Sequence, residues 1–288
     1  MKRILDIGSW LLLLGGMFSL MSFSYYSRES QKYNDLQIKI DRPIKSQFIT
    51  EEDVEELLQN VGFQLKDQKI SSLDIQHIEK LLENNSSISS AEVYVTIDGR
   101  VVIELQERTP IIRIYNSFGE SFYLDEEGSF MPLSNRYTAR VLIAHGNVNI
   151  PFSTVYRLED LETSLSRLFR QKNSSAVENT ELFNKLKMNS EDLPGADQLK
   201  NLFTLGRFIT SDPFWNAQIS QIYVNRNGDL ELTPRVGKHK IIFGSTENLE
   251  EKFSKLLLFY QKGLARTGWN EFTSINLKFK NQVVCTKK

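Results

Sequence analysis

The hydrophobic pattern of the chain begins with its longest apolar run. Residues 4–23 carry one charged side chain, Asp6. Twenty helical residues rise about 30 Å, which matches the hydrocarbon core of a membrane. The run therefore predicts a single transmembrane helix, and Lys2 and Arg3 before it favour a cytoplasmic N-terminus. The side chains expected to anchor the helix in lipid are Ile4, Trp10, Leu11, Leu12, Leu13, Leu14, Phe18 and Phe23.

A cleaved signal peptide is the alternative for this segment, because it is N-terminal and follows positive charge. Against it, the apolar run is long and no Ala-x-Ala-like cleavage site follows. We expect residues 1–27 to form a short cytoplasmic tail and the anchor, and the polar residues 28–35 to form a stalk. The rest of the chain would then lie outside the cytoplasm.

Short alternating and helical patterns define a first domain at residues 36–112. LQIKID predicts a strand, TEED at 50–53 resembles a capping box at a helix start, and a second helix begins near Ser72. In AEVYVTIDGRVVIELQE, two alternating runs flank Asp98-Gly99, which predicts a hairpin with a two-residue type I′ turn. The order strand–helix–helix–strand–strand indicates a small sheet with both helices on one face.

A second, strand-rich domain with packed helices is expected at residues 113–284, which makes the whole chain α+β. The predicted elements are a hairpin around 125–128, a strand at 139–144, a helix at 199–208, three strands within 218–244, a helix at 247–263 and a terminal strand. The stretch at about 155–200 is polar and weakly periodic. We interpret it as a partly helical insertion, because a loop of that length is unusual inside a compact domain.

The terminal strand shows a clear alternation. Ile275, Leu277, Phe279 and Val283 share one parity, and lysines and amides occupy the other. The pattern fits a surface that another protein uses. It also fits an ordinary sheet edge, because lysines on edge strands prevent unwanted pairing.

The helix before this strand contains five successive apolar residues, 256–260, which cannot all face a core. We expect Phe259 or Tyr260 to lie near the surface or against the terminal strand. Boundary packing explains this arrangement in the simplest way. A docking groove formed by the helix and the strand is the alternative.

Composition and charge narrow the possible functions. The chain has 35 Lys plus Arg against 36 Asp plus Glu, and its net charge of −1 lacks the basic field of a nucleic-acid-binding protein. The single cysteine, Cys285, cannot form an internal disulfide and is expected to be a strand-end residue.

No pattern in the sequence indicates catalysis or a bound cofactor. His77, His145 and His239 are far apart and lack metal-ligand spacing. Neither a Gly-rich phosphate loop nor a nucleophile elbow is present. The acidic clusters at 51–53 and 126–127 are explained by a helix N-terminus and a turn. We therefore expect no enzyme activity, cofactor, metal or small-molecule substrate.

Three segments resemble one known family. ISSAEVYVTIDGRVVIELQERTPIIRI, residues 88–114, resembles the end of the POTRA domain of FtsQ/DivIB cell-division proteins, where the hairpin closes on a Glu-Arg-x-Pro element, here 107–110. GESFYLDEEGSFMPLSNRYTARVLIAHGNV and INLKFKNQVVCTKK are similar to the second domain in the Bacteroidetes-like branch of that family. With the N-terminal anchor, the resemblance covers nearly the whole chain.

The resemblance implies a non-enzymatic divisome scaffold in the inner membrane, with most of the chain in the periplasm. It also implies bitopic partners of the FtsL and FtsB/DivIC type, one of which adds a short strand beside the terminal strand. Phe279 falls where relatives carry an aromatic residue that contacts the partner, and the POTRA domain would serve recruitment to the division site. The predicted partner-binding residues are Phe259, Tyr260, Ser274, Ile275, Asn276, Leu277, Lys278, Phe279, Lys280, Asn281 and Gln282.

Two other classes of protein are alternatives. A cell-envelope enzyme with a POTRA-like accessory domain would need a polar cleft within residues 115–284, and the sequence suggests no set of residues for one. A translocation component would normally carry tandem POTRA domains and a membrane β-barrel. The chain has one such unit and too few remaining residues for a large barrel.

Overall fold

The structure is a computed structural model that describes residues 14–19, 35–42, 46–60, 63, 73–152 and 195–288. These residues form two compact units, divided between Glu107 and Arg108. The sequence-based boundary at residue 112 lies five residues later, inside a strand that begins at Pro110 and belongs to the second sheet.

The predicted anchor and insertion lie largely outside the described residues. Residues 14–19 are helical, with Leu14 and Phe18 exposed. The other anchor residues (Ile4, Trp10, Leu11, Leu12, Leu13 and Phe23), the stalk up to residue 34 and the insertion up to residue 194 are outside them. Within the described ranges, no helix is both long enough and apolar enough to span a bilayer.

The first unit has a three-stranded sheet with two helices. Its elements are β1 (Asp35–Asp41), α1 (Glu51–Asn60), α2 (Ile75–Glu83), β2 (Ile88–Val95) and β3 (Arg100–Glu107). The strand order is β1-β3-β2, with β1 parallel and β2 antiparallel to β3. Val54 and Leu58 of α1 and Ile78 and Leu82 of α2 are buried with Ile103 of β3 in one apolar core. The predicted element order is therefore present.

Local sequence signals explain the start of α1 and the hairpin. Thr50 donates its backbone N–H to Asp53 at 2.9 Å, and Asp53 donates its own to the Thr50 hydroxyl at 3.4 Å, which is the predicted capping box. The prediction of a type I′ turn is wrong. Such a turn needs a positive φ at both central residues, and Gly99 has one whereas Asp98 does not. The Thr96 backbone N–H instead bonds to the Arg100 carbonyl at 2.9 Å across the three residues 97–99, and Ile97 among them is 94% exposed.

The second unit contains a nine-stranded mixed sheet. Its strands are β4 (Pro110–Tyr115), β5 (Ser121–Asp125), β6 (Phe130–Met131), β7 (Leu142–Gly146), β8 (Ile219–Val224), β9 (Leu230–Pro234), β10 (Lys240–Gly244), β11 (Phe272–Asn276) and β12 (Val284–Lys287). The strand order is β12-β11-β10-β9-β8-β7-β4-β5-β6. The pairs β4–β7, β7–β8 and β10–β11 are parallel.

Helices cover the apolar core of this sheet. They are α3 (Ala196–Ser211), α4 (Pro213–Gln218), α5 (Leu249–Leu258), a π-helical segment (Phe259–Leu264) and the short α6 (Ala265–Thr267). Leu202 and Leu205 of α3 and Phe253 and Leu256 of α5 are buried in the same cluster as Ile222 of the central strand β8. Because α3 begins at Ala196, the last residues assigned to the predicted insertion belong to a packed helix.

Candidate partner-binding edge

The last strand of the sheet is shorter and lies later in the chain than the alternation predicts. The prediction of one uninterrupted strand is wrong, because residues 272–287 form a hairpin in which Ile275 pairs with Cys285 and Asn276 with Val284. The Asn276 side-chain oxygen accepts the Lys278 backbone N–H at 3.0 Å, which turns the chain at the end of β11. The edge strand at this end of the sheet is therefore β12, and β6 is the edge strand at the other end.

The backbone of β12 has an inner and an outer side. Lys288 donates its backbone N–H to the Glu271 carbonyl at 3.1 Å, so this N–H points toward β11. Backbone groups alternate in direction along an antiparallel strand, and Cys285 and Lys287 therefore direct theirs away from the sheet. In the part of the chain that the structure describes, no strand pairs with this outer side of β12.

The predicted partner-binding residues separate into buried and exposed groups. Ile275, Leu277 and Tyr260 are buried, so their side chains are not part of the exposed surface. Ser274 is buried as well, and its hydroxyl donates to Thr286 at 3.0 Å. Phe259 and Asn276 are half-buried. The exposed members are Lys278, Phe279, Lys280, Asn281 and Gln282, which lie in the β11–β12 loop, residues 277–283.

The first part of this loop, residues 277 and 278, is held by β10 and by the turn before β9. Leu277 donates its N–H to the Ile242 carbonyl at 2.9 Å, and the Lys278 ammonium lies 2.7 Å from the Asp229 carboxylate. A Cβ at Gly244 would lie 2.9 Å from Cγ of Lys278, so the glycine allows the lysine stem to pack closely. These contacts fix the start of the loop.

The second part of the loop is held by helix α5. The Lys255 ammonium donates to the carbonyls of Phe279 at 3.0 Å and Lys280 at 2.8 Å. The Phe279 ring nevertheless remains 45% exposed. The loop backbone is attached, whereas its aromatic side chain is available for contact.

Positive charge surrounds the edge. Lys278 and Lys280 of the loop and Lys287 and Lys288 at the end of β12 are all exposed. A basic edge repels strands of like charge and favours a partner with acidic side chains.

The helix beside the edge changes form at Phe259. The predicted single helix at 247–263 is an α-helix only to Leu258, and a π-helical segment follows. A Cβ at Gly263 would lie 2.7 Å from the Phe259 ring, so the glycine makes room for that ring, which also meets Phe272 edge-on at 5.7 Å. Leu258 is the exposed residue, at 51%, whereas Tyr260 faces the core.

A buried aromatic cluster packs against the π-helical segment through Tyr260. His239 is buried, its Nε2 lies 3.2 Å from the Tyr260 hydroxyl, and its ring lies 6.3 Å from that of Trp269. Burial lowers the pKa of His239, although a backbone hydrogen bond to Trp269 opposes the shift. Burial also raises the pKa of Tyr260 to about 12, so the tyrosine stays a neutral donor.

The lowered pKa of His239 predicts a pH-dependent stability. The unfolded chain binds a proton near pH 6.5 and the folded chain binds it only at lower pH, so the free energy of unfolding should fall as the pH decreases below about 6.5. Urea unfolding at pH 7 and at pH 5 measures this decrease in the free energy of unfolding. The decrease should be smaller in His239→Gln than in the wild type, by up to about 1.4 kcal/mol per pH unit. The exposed His77→Gln is the control and should keep the wild-type loss. An unchanged loss in His239→Gln would contradict the assignment.

The second unit also has a groove beside its helices. A groove of about 960 Å³ lies between α3, the start of α5 and the turn at 126–127, and lysine, arginine and glutamate side chains line it together. His145 does not line this groove. Its Nε2 lies 3.1 Å from the Gln221 side-chain oxygen on the neighbouring strand β8. Within the described residues, no group of histidine, cysteine and carboxylate side chains could hold a metal ion.

Sequence reasoning missed the residues that define the edge. Val284 and Thr286 lie on β12, and Lys255 reaches the loop from a helix 24 residues earlier in the chain. Asn276, which starts the turn, was the available signal for the hairpin. No local pattern marks Lys255.

The chain thus consists of two units, and the sheet of the second unit ends in the edge strand β12. Residues 31–106 match the model of the POTRA-like domain, and residues 109–286 match the model described as FtsQ/DivIB, C-terminal related. The chain belongs to the FtsQ/DivIB family, which is a family of cell-division scaffold proteins that are not known as enzymes. The resemblance found in the sequence is thereby confirmed. No curated protein was found to match the chain.

Proposed function

We propose that the protein is a membrane-anchored scaffold that recruits bitopic division proteins of the FtsL and FtsB/DivIC type by accepting a strand at β12. Residues 4–23 anchor it in the inner membrane with a single pass, the N-terminus lies in the cytoplasm, and both units lie in the periplasm. The POTRA-like unit brings the protein to the division site.

The outward-facing backbone of β12 is the observation that carries this proposal. Cys285 and Lys287 direct their N–H and C=O groups away from β11, and the described part of the chain has no strand beside them. An added strand would satisfy these groups, and the main-chain hydrogen bonds would supply much of the affinity. Selectivity comes from the exposed lysines at the edge and from Phe279 in the hairpin loop.

A matched pair of variants at Cys285 tests the strand addition. Proline at this position removes an outward N–H without removing a bond to β11, whereas alanine keeps the N–H. Fluorescein-labelled peptides from the extracytoplasmic segments of the FtsL and FtsB/DivIC proteins of the same cell serve as probes for the full chain in detergent. We expect Cys285→Pro to weaken binding of one peptide about tenfold to a hundredfold and Cys285→Ala to change it little.

Thermal melting of both variants is the folding control, and their melting temperatures should agree closely. Equal affinity of the two variants for the peptide would show that the outer side of β12 is not the binding site. Failure of the wild-type chain to bind any of the peptides would refute recruitment through these segments.

A further inference from the structure

We infer that Lys255 is a positioning residue, which fixes the β11–β12 loop in one conformation and thereby presents Phe279 to the partner. The inference rests on the proposed function for the identity of the partner. The geometry of the loop stands independently of it.

One ammonium group, that of Lys255, donates hydrogen bonds to the second part of the loop. Lys255 Nζ lies 3.0 Å from the Phe279 carbonyl, 2.8 Å from the Lys280 carbonyl and 3.3 Å from the Glu251 carboxylate one helical turn earlier. An ammonium has three donors, and these three acceptors match that number. The carboxylate therefore keeps the lysine directed toward the loop.

Lys255 has a role that the other loop contacts do not share. The bonds from Asn276, Asp229 and Ile242 end at residues 277 and 278, before the aromatic residue. In the described part of the chain, the carbonyls of residues 279 and 280 both accept hydrogen bonds from Lys255. Without it, the chain on both sides of the Phe279 side chain would sample several conformations.

Such an attachment matters for binding, because a loop that is already ordered loses less conformational entropy when the partner docks. The Phe279 ring is exposed while its own carbonyl is bonded, which is the arrangement of a preformed aromatic anchor. The inference therefore concerns how the anchor is held, and it adds residues of α5 to a site that consists of the hairpin.

Two measurements on the full chain test the role of Lys255. The first is the rate at which a lysine-specific endoprotease cuts after Lys278 and Lys280, followed by mass spectrometry, because cleavage requires the loop to open locally. The second is the affinity for the FtsB/DivIC peptide. Lys255→Met keeps the aliphatic stem and removes the donors, and Lys262→Met removes an exposed charge from the adjoining π-helical segment as the matched control.

We expect Lys255→Met to be cut about tenfold faster at the two loop lysines and to bind the peptide about fivefold more weakly, with a nearly unchanged melting temperature. Lys262→Met should match the wild type in both assays, and Lys255→Arg should restore most of the protection. In a Phe279→Ala background, Lys255→Met should weaken binding little further, because its effect passes through that ring.

Unchanged cleavage in Lys255→Met would overturn the inference. Faster cleavage with unchanged affinity would overturn it too, since the loop would then be held for a reason other than binding. If the wild-type chain binds no peptide, the proposed function fails, and the cleavage assay alone decides whether Lys255 orders the loop.

Discussion

Replacing Arg108 with methionine is expected to lower the free energy of unfolding by about 3–5 kcal/mol, because the change leaves a buried carboxylate without its cation. Arg108 Nη1 lies 2.6 Å from Asp125, and the two side chains are 2% and 1% exposed. Asp125 also accepts the backbone N–H groups of Glu127 and Ser129 at 3.0 and 2.6 Å, so the same carboxylate holds the β5–β6 turn. Loss of the arginine therefore affects an ion pair and a turn together.

Urea unfolding at pH 7 measures this change, and Glu127→Gln is its control. Glu127 meets the same guanidinium at 3.0 Å but is 50% exposed, so its replacement should cost less than about 1 kcal/mol. Burial raises the pKa of Asp125, and Arg108 opposes that shift. Arg108→Met should raise this pKa further. The folded variant then binds more protons than the unfolded chain, and its deficit should shrink as the pH falls toward 4. Equal costs for the two variants would contradict this account.

Phe253→Ala is expected to destabilise the second unit by about 3–5 kcal/mol, since it removes a large ring from a packed core. The Phe253 ring lies 4.7 Å from Phe208 of α3, 4.8 Å from Trp215 of α4 and 5.2 Å from Phe243 of β10. These rings belong to different elements. Neighbours held by several elements cannot easily move to fill the cavity.

Thermal or urea unfolding of the full chain checks this prediction, and Phe118→Ala provides the matched control. Phe118 is an exposed phenylalanine of the same unit, and its loss should change the free energy of unfolding by less than about 0.5 kcal/mol. Because Phe253 packs α5 against the core, its loss should also reduce the protection of the β11–β12 loop through Lys255. A cost below 1 kcal/mol would mean that the cluster collapses around the gap.

Most elements could be predicted because their signals are local. The capping box at 50–53 contains its own hydrogen-bonding partners, and Val101, Ile103 and Leu105, which alternate along β3 as predicted, all lie in the core. The turn at 96–99 could not be predicted in detail. Asp-Gly sequences favour a type I′ turn, but the same two residues also fit a longer loop in which only the glycine has a positive φ.

The sequence predicts a strand in the region of the candidate site, but it does not predict the hairpin that forms there. A period of two continues from Ile275 through Phe279 whether the chain stays extended or turns, so alternation alone cannot distinguish a long strand from a hairpin. The contact between Lys255 and the Phe279 carbonyl joins residues that are far apart in sequence. This contact depends on how α5 packs across the sheet, and no local sequence pattern predicts that packing.

The parallel pairing of β10 with β11 sets the order in which the edge can assemble. Parallel neighbours cannot be joined by a tight turn, so α5, the π-helical segment and α6 form the connection and are synthesised before β11. During synthesis on the ribosome, β10 is then the outermost strand until residues 272–276 have emerged and docked. A chain that ends before β11 therefore exposes β10 as its outer strand, whereas β12 becomes the outer strand only after residues 272–287 have formed the hairpin.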